Sequence, residues 1–92
     1  MSKRQKLINK WKNNTPTTAK RREVEGILNI YFPGEYALEK SSHIVVDSEK
    51  LKFLKSAPLG ILTIPLTNGR HVKGRYLKDL MRVIEEIEQL EG

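Results

Sequence analysis

The sequence predicts a single small α+β domain in two layers, with helices packed on one face of a three-stranded antiparallel sheet. Three observations carry this. Apolar residues recur at helical spacing near both ends of the chain. Between them lie three short runs that are β-branched or alternate apolar with polar residues. Ninety-two residues, 38% of them hydrophobic, suffice for one domain with a thin core. A core that thin often leans on a partner for part of its burial, and a homo-oligomer is one way to supply it.

The first segment, Lys3–Asn13, places Leu7, Ile8 and Trp11 three and four residues apart, so it reads as a short basic helix. Asn13-Asn14-Thr15-Pro16 ends it, and residues 1–16 are expected to be an arm more than part of the core. The domain proper is expected over 17–92. Thr17 or Thr18 is the expected N-cap of a second helix. There Val24, Ile27, Leu28 and Tyr31 form an i, i+3, i+4, i+7 stripe, and Pro33-Gly34 stops it. Glu35–Glu39 alternates as a first strand, and Lys40-Ser41-Ser42 turns the chain into a second, His43–Val46. Ile61–Leu66 is the third, with Pro65 at a position that needs no ladder donor. If Ile44 and Val46 share the core face with Leu62 and Ile64, then His43 and Thr63 lie on the opposite face.

Asp47–Leu59 admits two readings. Leu51, Phe53 and Leu54 fit a helical turn capped by Asp47 or Ser48, and Leu51 and Phe53 fit an extended hairpin; the hairpin is the preferred expectation. Thr67-Asn68-Gly69-Arg70 is a turn. A last helix runs from Lys73 or Arg75 to Glu91 on a stripe of Leu77, Leu80, Met81, Ile84 and Ile87, widened by Tyr76, Val83 and Leu90. The resulting order, helix, three strands, helix behind an extra N-terminal helix, is the α-β-β-β-α topology of double-stranded-RNA-binding domains.

Charge points to a polyanion. Net charge is +6, yet residues 1–22 hold eight basic groups and no acid, which leaves nine basic and eleven acidic residues for the rest. Arg70, Lys73, Arg75, Lys78 and Arg82 form a second basic cluster ahead of Glu85, Glu86, Glu88 and Glu91. Cations gather at two helix starts, where the macrodipole prefers acids, so they read as anion-binding groups. The absence of Cys excludes disulfides and thiolate metal sites. His43 and His71, with no Cys, make a poor metal set, and no Gly-rich phosphate loop is present, so no cofactor is expected. No apolar run approaches the roughly 18 residues of a membrane span, and the basic N-terminus lacks the apolar run of a secretory signal. The expected location is the cytoplasm.

One segment offers chemistry. In Lys40-Ser41-Ser42-His43-Ile44-Val45-Val46, a cation and two hydroxyls lead to an imidazole at the mouth of a strand. Imidazole is the side chain whose ordinary pKa lies near physiological pH. Metal-free RNA cleavage needs a base for the 2′-hydroxyl proton, an acid for the leaving 5′-oxygen, and cations for the charge that builds on phosphorus. His43 is the candidate base, Ser42 orients it or binds phosphate, and Lys40 and Ser41 are further candidate nucleic-acid contacts. Lys20, Arg21, Arg22, Arg70, His71, Lys73, Arg75 and Lys78 are candidate nucleic-acid contacts, and His71 is also a candidate acid.

At this point the chain resembles the HicA family of bacterial and archaeal toxins, through Ser41-Ser42-His43, Leu62-Thr63-Ile64-Pro65 and Val72-Lys73-Gly74-Arg75-Tyr76-Leu77-Lys78-Asp79-Leu80. The family's pattern is a Gly-Ser/Thr-His turn into strand two, an apolar-Thr-apolar-Pro strand, and a basic entry to the last helix. The resemblance spans roughly residues 17–90. It implies a double-stranded-RNA-binding-like fold, a messenger-RNA-cleaving ribonuclease with His43 as its catalytic base, and a HicB-like antitoxin as protein partner. Two positions depart from the pattern. Lys40 or Ser41 stands where the family has its turn glycine, and Ile44 where it often has a second histidine. The alternative reading is an RNA-binding module of the same fold that does not cleave.

Overall fold

Alternation along the middle of the chain decides which side of the sheet meets the helices. In a computed structural model, which describes residues 3–40, 42–57 and 59–91, β2 (Tyr36–Glu39), β3 (His43–Asp47) and β4 (Ile61–Pro65) form an antiparallel sheet in the order β2-β3-β4. The register pairs Ile44 with Ile64 and Val46 with Leu62, and all four side chains are buried. Their neighbours His43, Asp47, Ile61 and Thr63 point to the other face and are exposed. One face of the sheet is thus core and the other is open.

The helices supply the second layer. In α2 (Arg21–Tyr31) the stripe Val24, Ile27, Leu28 and Tyr31 is buried. In α3 (Gly74–Glu91) Leu77, Leu80, Met81, Val83, Ile84 and Ile87 are buried, and together with the inner sheet residues they make one apolar cluster. The two-layer α+β architecture expected from the periodicities is present.

Three elements differ from the expectations. First, α1 (Lys3–Asn13) is not an arm. Ile8 is fully buried and Trp11 is 3% exposed, both within the common core. Lys12 pairs with Glu88 of α3, and the same carboxylate accepts from the Tyr31 hydroxyl at 3.3 Å, which ties three helices together. Burial first, then the Glu88 charge, holds the Tyr31 phenol above its usual pKa.

Second, Thr18 is not a helix cap. Thr18–Lys20 is a short strand, β1, paired antiparallel with a second unforeseen strand, β5 (His71–Lys73). Each strand turns one side chain inward, Ala19 and Val72. The ladder runs past both ends: the Gly74 amide donates to the Thr17 carbonyl at 2.7 Å and the Arg21 amide to the Arg70 carbonyl at 2.8 Å. The first amide of each long helix is therefore satisfied by the opposite strand. Lys20 takes the N-cap position of α2 with extended dihedrals, and the Glu23 carboxylate accepts its amide at 3.1 Å.

Third, the segment after β3 is a 3₁₀ helix, Glu49–Phe53, instead of a hairpin strand. Ser48 caps it by accepting the Lys50 amide at 3.3 Å. Leu51 and Leu54 are buried three residues apart, whereas Phe53 is 77% exposed, so the helical spacing carries the burial. The acids late in α3 also make contacts within the fold. Glu88 joins the helices, and Glu86 accepts the Lys55 and Ser56 amides at 2.9 and 2.8 Å, pinning the loop before β4. The Ser56 hydroxyl is buried and makes no regular hydrogen bond, so the two amides are the secure contacts. The hydroxyl beside the carboxylate, together with those amides, holds Glu86 below the usual carboxylate range.

Candidate nucleic-acid interface and catalytic histidine

His43 opens β3 at the closing pair of a hairpin, opposite Glu39 on one side and Pro65 on the other. Strand alternation sends Ile44 inward and therefore His43 to the open face, where it is exposed. Its Nδ1 lies 2.8 Å from the Ser42 Oγ. That hydroxyl also makes a long contact, 3.4 Å, to the Glu39 carbonyl, which can only accept. The contact suits the tautomer in which Nδ1–H donates to Oγ and Nε2 is left to accept. A base whose far nitrogen is held and whose near nitrogen is free fits proton abstraction from an approaching hydroxyl.

The turn behind His43 keeps its tight geometry without glycine. Lys40 has φ of 52°, in the left-handed region, and the Ser42 amide donates to the Glu39 carbonyl at 3.0 Å. Lys40 is exposed beside the imidazole's hairpin. Ser41 lies outside the described residues.

The two basic clusters, far apart in sequence, meet at the β1–β5 ribbon. Lys20 faces His71 and Thr18 faces Lys73, all four exposed on the ribbon's outer side. Lys20–His71 is a non-hydrogen-bonded pair, because the ladder bonds fall at Thr17–Gly74 and Arg21–Arg70. Side chains of such pairs approach most closely. Lys20, Arg21, Arg22, Gly69, Arg70 and His71 line one cleft of about 290 Å³. Arg21 is half-buried there; its Nη1 donates to the Gly69 carbonyl at 3.3 Å and its Nε lies 3.7 Å from Glu25.

The remaining candidates do not join that cleft. Lys73 stays on the ribbon, and the Arg75 guanidinium sits 4.9 Å from the Tyr76 ring centre. Lys78 lines a separate groove with Lys12 and Arg82, two cations outside the candidate set. His71 lies on a different sheet from His43. The two are linked through the backbone: Leu66 donates to the Ser42 carbonyl at 2.8 Å, and Thr67 donates to the His71 carbonyl at 2.8 Å. Gly69, whose carbonyl accepts from Arg21, lies outside the candidate set, and the polar-apolar-polar triplets Thr18-Ala19-Lys20 and His71-Val72-Lys73 are the sequence signal for the ribbon beside it.

Among the described residues no group of three His, Asp or Glu side chains is placed to hold a metal ion, and no helix is long and apolar enough to cross a membrane. Comparison of the chain with family models, with curated proteins and with solved structures found no match.

Proposed function

We propose that this chain is a HicA-like toxin, a metal-independent endoribonuclease that cleaves messenger RNA in the cytoplasm and is restrained by a HicB-like antitoxin. The observation that carries the reading is the exposed imidazole of His43 on an open sheet face, with its Nδ1 2.8 Å from the Ser42 hydroxyl. Nε2 takes the 2′-hydroxyl proton, the 2′-oxygen attacks phosphorus, and the 5′-oxygen leaves, producing a 2′,3′-cyclic phosphate and a 5′-hydroxyl. The cations of the ribbon, with Lys40, hold the RNA and offset the charge on the pentacoordinate phosphorus. His71 lies on the other sheet with the ribbon cations, so it serves as an RNA contact, and water protonates the leaving 5′-oxygen.

The second reading, an RNA-binding module that does not cleave, draws on Lys40. Its side chain stands at a turn where the resemblance expects glycine and close backbone approach. Induced expression separates the two. The toxin reading expects growth arrest and loss of messenger RNA, both absent with His43→Ala and both reversed by the product of an adjacent antitoxin-like gene. The binding reading expects neither effect.

A further inference from the structure

We propose that the cleft between the start of α2 and the turn before β5 is a subsite for one phosphodiester of a single-stranded RNA, a short fixed distance along the strand from His43. Its register rests on the reading of His43 as the cleaving base; the existence of the subsite does not.

Lys20, Arg21, Arg22, Arg70 and His71 come from two distant segments and converge on a cleft of about 290 Å³. That is roughly ten water volumes, room for a phosphate with part of its ribose. The convergence is built into the backbone, since the ladder from Thr17–Gly74 to Arg21–Arg70 locks both segments together. Arg21 is held by the Gly69 carbonyl and Glu25, so one guanidinium is oriented before any ligand arrives. Like charges placed side by side cost stability, and an anion among them removes that cost. The helix end itself is not the site: Glu23 already takes the Lys20 amide, so an incoming anion meets side chains.

The register follows from the connection to His43. His43 opposes Pro65, Thr67 lies two residue steps beyond Pro65, and Thr67 bridges to His71. Two cross-strand steps and two residue steps place the His43 and His71 Cα atoms at most about 18 Å apart. A stacked strand advances about 3.4 Å per nucleotide, so the seated phosphate lies within about five nucleotides of the scissile one. On the other side of His43, Glu35, Glu39 and Asp47 line a groove that repels phosphate, which directs the strand toward the ribbon. A single strand is required because 2′-oxygen, phosphorus and leaving oxygen must come into line, which a stacked A-form helix does not permit.

Two measurements test this. The first uses a short 2′-O-methyl oligouridylate, which binds but cannot be cleaved. Arg70→Gln and Lys20→Gln, both at exposed positions, should each weaken its binding about tenfold. Lys6→Gln and Lys10→Gln, exposed on α1 and equal in charge change, should have little effect. Equal losses from all four variants, or none from Arg70→Gln and Lys20→Gln, would overturn the subsite. The second uses the same oligomer carrying one 2′-hydroxyl, with a single methylphosphonate moved along it. Cleavage by wild type should drop sharply with the neutral group at one position within about five nucleotides of the 2′-hydroxyl. Arg70→Gln should cleave slowly and lose that position dependence. Uniform sensitivity along the strand overturns the register. If wild type binds as expected but cleaves nothing, the catalytic reading and the register fall together and the subsite stands.

Discussion

Replacing Trp11 by alanine tests whether α1 belongs to the fold. The indole is 3% exposed and packs in the core cluster with Ile8. Truncating a buried Trp removes its transfer free energy and leaves a cavity, about 3–5 kcal/mol in all. A 92-residue domain has a total stability on the order of 5–10 kcal/mol, so the variant loses a large share of it. Each kcal/mol moves Tm by about 4–8 °C at this size, so the midpoint should fall by more than about 12 °C. Trp11 is the sole tryptophan, so unfolding should be followed by far-ultraviolet circular dichroism in urea. Ile8→Ala should cost about 2–5 kcal/mol. A Trp11→Ala midpoint within about 0.5 kcal/mol of wild type would refute the placement and restore α1 to an arm.

Three further outcomes are expected. Lys40→Gly should stabilise the domain by about 0.5–1 kcal/mol in urea unfolding, because φ of 52° strains any side chain there, while Lys40→Val should destabilise it. Gly74→Ala should lower stability by about 1–3 kcal/mol despite the better helix propensity of alanine, since its Cβ would stand 2.6 Å from the Pro16 carbonyl oxygen. The urea midpoint should also fall in acid. Glu86 is held below the usual carboxylate range in the folded state, so its contribution is present above the ordinary carboxylate pKa and is lost as pH drops through its folded value. Glu86→Gln should flatten that acid limb, and an unchanged limb would show that the Lys55–Ser56 contact is not coupled to folding.

Periodicity made most of the scaffold legible. The stripes of α2 and α3 and the alternation of β3 and β4 rest on four or more residues each, enough to fix the buried face and to put His43 on the open one. The ribbon was not legible because each of its strands buries a single residue, Ala19 or Val72, too little for a period. Thr18 therefore reads as a cap, and the proximity of residues 20–22 to 70–71 has only the two short polar-apolar-polar triplets as its signal. In the segment after β3 the sequence admits both a helical turn and a hairpin, because Leu51 pairs with Leu54 at helical spacing and with Phe53 at strand spacing; burial of Leu51 and Leu54 decides for the helix. α1 offers few apolar residues, and its core role depends on where α2 and α3 leave a gap.

One rate tests the role of His43 most directly. Purified wild type and His43→Ala should be compared on an unstructured RNA in EDTA, with the product ends identified. Wild type should cleave to 2′,3′-cyclic phosphate ends, and His43→Ala should be slower by roughly 10²–10⁴ while binding RNA and unfolding like wild type. Cleavage by His43→Ala at the wild-type rate, or a wild type that cuts only when a metal ion is restored, would contradict the account.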